Sequence, residues 1–161
     1  MRIKRILNNN IFIILTMLLI SLIIVLFNKN LDNLSILNDD FLITYMLYML
    51  GFALTVSAIL YSFVEKVNTR FNHNEVNEGN QSTILKRLKK LLKELKEDTL
   101  LIFLILVFNI FISLFKDINI PVLKLPKNEL INFCKIMSIF LSSYSIRDII
   151  LTVFKILNIN F

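Results

Sequence analysis

The chain has 161 residues, 56% of them hydrophobic, with a mean hydropathy of +0.70 and a formal charge of +6. The apolar share exceeds the roughly 45–50% of ordinary soluble domains, and it is gathered into four runs, which argues against a soluble fold. The single cysteine, Cys134, rules out an internal disulfide framework, and one histidine with two glycines leaves no basis for a His-rich metal set or a Gly-rich phosphate loop.

Residues 1–10 form a basic N-terminus carrying Arg2, Lys4 and Arg5. The apolar run 11–27 follows. It is long for a signal-peptide core and lacks a small-residue cleavage pattern, so it is read as a retained first span. At 1.5 Å per residue it rises only about 25 Å, which places Asn10 or Asn28 at the membrane interface.

A polar outer loop occupies 28–40, and its Asn38-Asp39-Asp40 offers side chains to cap the next helix. The second span, 41–64, carries Thr44, Tyr48, Gly51, Thr55, Ala58 and Ser62 at alternating steps of three and four. Small and hydroxyl side chains on one helix face predict a close helix-packing seam, with an aqueous path as the alternative.

The segment 65–98 is read as cytoplasmic. Residues 65–80 show no helical apolar period, and Gly79-Asn80 punctuates them. Ser82 or Thr83 then caps an amphipathic helix, 82–98, with Leu85, Leu88, Leu92 and Leu95 on one face, broadened by Ile84 and Leu91. Lys86, Lys89, Lys90, Lys93 and Lys96 occupy the other face, where they are candidates to contact lipid phosphates or a cytoplasmic partner. The leucine stripe itself has two outlets, the lipid surface or another helix. Arg70, His73, Glu75 and Glu78 are the only local group mixing acid, base and cation, a combination that polar segments contain by chance.

No breaker separates this helix from the third span, 99–115, so 82–115 is expected to be one rod about 50 Å long. Within it, Asn109 and Ser113 lie one turn apart as interhelical contacts. The second outer loop, 116–128, contains Pro121 and Pro126, after which Asn128 caps and Glu129 enters the first turn of the fourth span, 130–154.

That span carries a second polar stripe, Cys134, Ser138, Ser142, Ser145, Asp148 and Thr152, together with Lys135 and Arg147. A charge at mid-bilayer costs roughly 2.5–3.5 kcal/mol on insertion scales. Three placements answer that cost. In the first, the span ends at Ile146, Lys135 snorkels outward and 149–161 lies along the membrane surface. In the second, Arg147 and Asp148 face a protein or water-filled interior. In the third, a partner subunit supplies the neutralising charge.

Positive-inside counting sets the topology. Residues 65–98 hold Lys66, Arg70, Lys86, Arg87, Lys89, Lys90, Lys93 and Lys96, against Lys29 alone in 28–40 and Lys116, Lys124 and Lys127 in 116–128. The expected fold is therefore all-α, an integral membrane protein of four transmembrane helices in two hairpins, 11–64 and 99–161. Both termini lie in the cytoplasm of a bacterial-type plasma (inner) membrane. Leu26-Phe27 recurs as Leu114-Phe115, a correspondence that a duplication of the hairpin would leave.

Two functions fit. One is a protein acting by helix association, as an oligomeric channel-like or membrane-perturbing effector. The other is a non-conducting accessory or scaffold subunit docking a cytoplasmic partner on 82–98. The partners expected are membrane lipids, further copies of the chain, or another membrane or cytoplasmic protein. Nucleic acid is not expected, since the basic helix interleaves no aromatics for base stacking. No catalytic, cofactor or metal site is assigned, and no enzyme is expected.

Overall fold

The computed structural model describes the backbone of residues 2–28, 30–73, 78–115 and 127–157, and within these it leaves the side chains of 2–10, 32, 70–73, 78–83 and 115 undescribed. Four helices account for most of the described chain: α1 (Arg2–Phe27), α2 (Asp39–His73), α3 (Glu78–Phe115) and α4 (Lys127–Leu157). Between α1 and α2 the chain makes two short 3-10 turns, Leu31–Asn33 and Ser35–Leu37. Asn38 then accepts the Asp40 N–H on its Oδ1 at 3.3 Å, the local capping that its position predicts.

Three helices, over Asp39–Thr69, Ile84–Leu114 and Lys127–Leu157, contain stretches long and apolar enough to cross a bilayer, and the apolar part of α1, Ile11–Phe27, is shorter. They keep large apolar side chains on the outside. Phe12, Leu15, Leu19 and Ile23 of α1 and Phe103, Phe108, Phe111 and Leu114 of α3 are all exposed. Water penalises so much continuous apolar surface, whereas lipid matches it and forces the backbone to bond within each helix. The architecture is that of an all-helical protein suited to several membrane crossings.

The chain divides into two compact units, residues 1–47 with 104–143 and residues 48–103 with 144–161. In the second unit α2, α3 and α4 share a core of Ala53 and Leu60, Leu88, Leu95 and Ile102, and Ile149 and Ile156. Each helix contributes residues seven apart. A seven-residue repeat keeps one stripe against its neighbours when helices pack with a left-handed wind. Thr99 is also buried there, with its hydroxyl 3.2 Å from that of Ser57. In the first unit Val25 of α1, Leu31 and Leu37 of the turns and Ile136 of α4 form a smaller core, and Tyr45 and Ser143 pair their hydroxyls at 3.1 Å.

Several boundaries differ from the sequence reading. Residues 65–73 continue α2 rather than leaving the helix, because Val64 and Val67 carry its packed stripe beyond Leu60. Helix α3 starts at Glu78, so Gly79 lies inside it instead of ending the preceding loop. Helix α4 starts at Lys127, which puts Asn128 in the first turn rather than at the cap. The expected continuity of the amphipathic helix with the third apolar run is present in α3. Ser82 and Thr83 lie inside α3, which begins at Glu78, so neither caps it; the prolines of 116–128 and the side chains of Arg70, His73, Glu75 and Glu78 fall outside the described residues.

The leucine stripe of 84–95 is covered by its own chain. Leu88 and Leu95 are fully buried against α2 and α4 in the second unit, with Ile84, Leu91 and Leu92 packed around them. The stripe thus meets other helices, one of its two expected outlets, and those helices belong to its own chain.

Candidate functional site

The buried side of α4 is polar along much of its length. Lys135, Ser138 and Ser142 in the first unit, and Ser145, Ile149, Thr152 and Ile156 in the second, are each buried and recur at steps of three and four. Hydroxyls on such a line bond to their own helix, as Ser138 Oγ does to the Cys134 carbonyl at 2.8 Å, and leave room for neighbouring helices to approach.

Lys135 belongs to this line and is only 4% exposed. It therefore points into the first unit and does not snorkel outward. Its Nζ donates to the Leu37 carbonyl at 2.7 Å and forms an ion pair with Asp39. A buried ammonium needs such partners, because an unpaired one faces the full cost of desolvation. The second 3-10 turn brings Leu37 to the mouth of α2, and Asp39 is the first residue of that helix, so one short connection presents both acceptors.

A cavity of about 540 Å³ opens beside this pair. The turns contribute Asn33, Leu34, Ser35 and Leu37, the entry to α2 contributes Asn38 and Asp39, and the first three turns of α4 contribute Asn128, Ile131, Asn132 and Lys135. The wall thus holds four carboxamides, one hydroxyl and one cancelled charge pair. Asn33, Asn38 and Asn128 are exposed, while Asn132 is buried. Sequence reading passed over this group. Its signal in the sequence is a lysine inside an apolar run, which calls for a carboxylate partner on another helix.

The residues singled out from sequence fall in different places. Thr44 in the first unit, and Tyr48, Gly51, Thr55 and Ser62 in the second, are all exposed. The expected packing seam of α2 is thus the opposite face, since Ala53 lies about 200° around the helix from Gly51. A Cβ built on Gly51 meets nothing within 4 Å, and Tyr48 is 75% exposed. Thr55 returns its hydroxyl to the Gly51 carbonyl at 2.8 Å.

Ser138, Ser142 and Ser145 are buried as a stripe, and Ser145 Oγ finds no partner among the described residues. Arg147 is exposed, its guanidinium 5.8 Å from the Tyr144 ring centre. Helix α4 runs unbroken past these charges to Leu157, with Ile149 and Ile156 in the core, so 149–157 does not turn away along a membrane surface. Lys86, Lys89, Lys90, Lys93 and Lys96 are all exposed, and Lys90 and Lys93 each stand 3.8 Å from a glutamate one turn on, Glu94 and Glu97. Cys134 is half-buried in an apolar groove with Leu104, Phe108, Phe133 and Met137.

No protein-family model matches the chain, and no curated protein or solved structure is significantly similar to it.

Proposed function

We propose that this is a non-enzymatic multi-pass protein of a bacterial-type plasma membrane that acts by associating with further copies of itself through the outward face of α2. The observation that carries this reading is the exposed line Tyr48, Gly51, Thr55 and Ser62. Lipid offers no hydrogen-bond partner to a tyrosine or serine hydroxyl, while a second helix does, and the notch at Gly51 admits a neighbouring backbone. The same line on a second copy is self-complementary, which suits a symmetric pair. Assembled copies would act as a channel-like or membrane-perturbing effector, with the hydroxyls of paired α2 helices facing one another.

Energy transfer between labelled copies in bilayers measures the association. Gly51→Leu is expected to weaken it by about tenfold or more, and to abolish any ion leak of the same vesicles. Wild-type chains that remain monomeric as density rises overturn the reading, and sealed vesicles at high density overturn its channel-like part.

The topology underlying it has four crossings in two hairpins, with residues 28–40 outside and 65–98 inside. In a Cys134→Ser background, Asn30→Cys should react with a membrane-impermeant maleimide in intact cells and Lys89→Cys only after lysis. The reverse pattern overturns the orientation.

A further inference from the structure

The cavity of the first unit has the volume of a small-molecule site and is walled by groups that recognise hydroxyls. At about 540 Å³ it falls within the range of roughly 300–1,000 Å³ usual for ligand pockets. Its two charges, Lys135 and Asp39, are paired with each other, so the wall carries no net charge with which to hold an ion. What it presents instead is Asn33, Asn38, Asn128 and Asn132, drawn from three separate parts of the chain. A carboxamide places a donor and an acceptor side by side, which matches an alcohol that both donates and accepts. The apolar Leu34 and Ile131 between them suit the C–H face of a ring.

The walls are also held in place. Lys135 ties the Leu37 carbonyl and Asp39, on either side of Asn38, to the helix carrying Asn128 and Asn132, and Leu31 of the turn carrying Asn33 packs in one core with Leu37 and Ile136, so the walls are joined before any ligand arrives. A site already shaped in this way loses little ordering entropy on binding.

We infer that this cavity binds a neutral, hydroxyl-rich group of about one or two sugar rings, carried either by a free sugar or polyol or by the head group of a glycolipid. The binding is independent of self-association through α2 and of which side of the membrane the turns occupy.

The test uses the full chain in phosphatidylglycerol nanodiscs, free of sugar detergents. Maltose, methyl mannoside and inositol are titrated as free ligands, nanodiscs containing glucosyl-diacylglycerol supply the lipid-borne form, and inorganic phosphate and glutamate serve as charged controls. Saturable binding of at least one hydroxyl-rich ligand, with phosphate and glutamate inert, is the expected result, and the member that binds identifies the source. Asn33→Leu and Asn128→Leu, both at exposed positions, should each weaken that binding about tenfold through loss of a ligand hydrogen bond, with the helical circular dichroism unchanged. The inference is overturned if none of the hydroxyl-rich ligands saturates, if phosphate or glutamate binds equally well, or if both variants bind like the wild type.

Discussion

Asp39→Asn is expected to lower the unfolding free energy by about 3–5 kcal/mol, because it leaves the Lys135 ammonium buried with neutral acceptors only and no counter-charge. Lys135→Met should cost less, about 1–3 kcal/mol. The asymmetry comes from surroundings. The Lys135 side chain is 5% exposed and that of Asp39 is 21% exposed, so a deserted carboxylate reaches water more readily than a deserted ammonium. Asp39 also sits in the first turn of α2, where the helix dipole favours its negative charge.

The double variant Asp39→Leu with Lys135→Met removes both charges from the same site. A buried ion pair replaced as a unit by apolar groups of similar volume is commonly neutral in stability or better. The double variant should therefore recover most of what Asp39→Asn loses. Reversible unfolding in mixed micelles measures all three. Equal, small losses for the two single changes, adding in the double, would show that the pair carries no coupling and that the cavity wall is not held by it.

The parts of this arrangement that sequence displayed are those governed by local period. Ser138, Ser142 and Ser145, aligned as one stripe in sequence, lie on the buried side of α4, since a stripe drawn with the straight-helix period of about 3.6 and one drawn with the wound-helix period of about 3.5 coincide over two turns. They separate at the ends. The straight stripe reaches Cys134 and Asp148, whereas the packed one reaches Lys135 and Ile149, and that single-residue drift decides which side chain is buried.

On α2 the small and hydroxyl line was visible, but not its direction. Lipid is as apolar as a protein core, so apolar composition does not say which face of a membrane helix turns inward. The cavity was illegible for a different reason. Its carboxamides come from the first turn, from the residue ahead of α2 and from the start of α4, which lies far from the other two in sequence, and the pairing of Lys135 with Asp39 is a tertiary contact.

The charged half of α3 is where packing and composition diverge most, and there Leu95→Ala should cost about 2–5 kcal/mol. Leu95 is surrounded by lysines and glutamates in sequence, a setting in which truncating a surface leucine changes little. Its side chain is nevertheless buried in the core with Leu88, Ile102 and Leu60, so the change removes apolar contacts and leaves a void that rigid helices close only in part. Lys93→Ala, two residues away on the exposed side, loses only a water-screened pair with Glu97 and should alter stability by less than about 1 kcal/mol. If the leucine stripe instead rested on lipid head groups, Leu95→Ala would leave micellar unfolding near the wild type and alter membrane adsorption of the helix. A large loss on unfolding, with membrane insertion retained, assigns the stripe to the protein interior. It also leaves the lysine face as the side of this helix that a headgroup or a partner can reach.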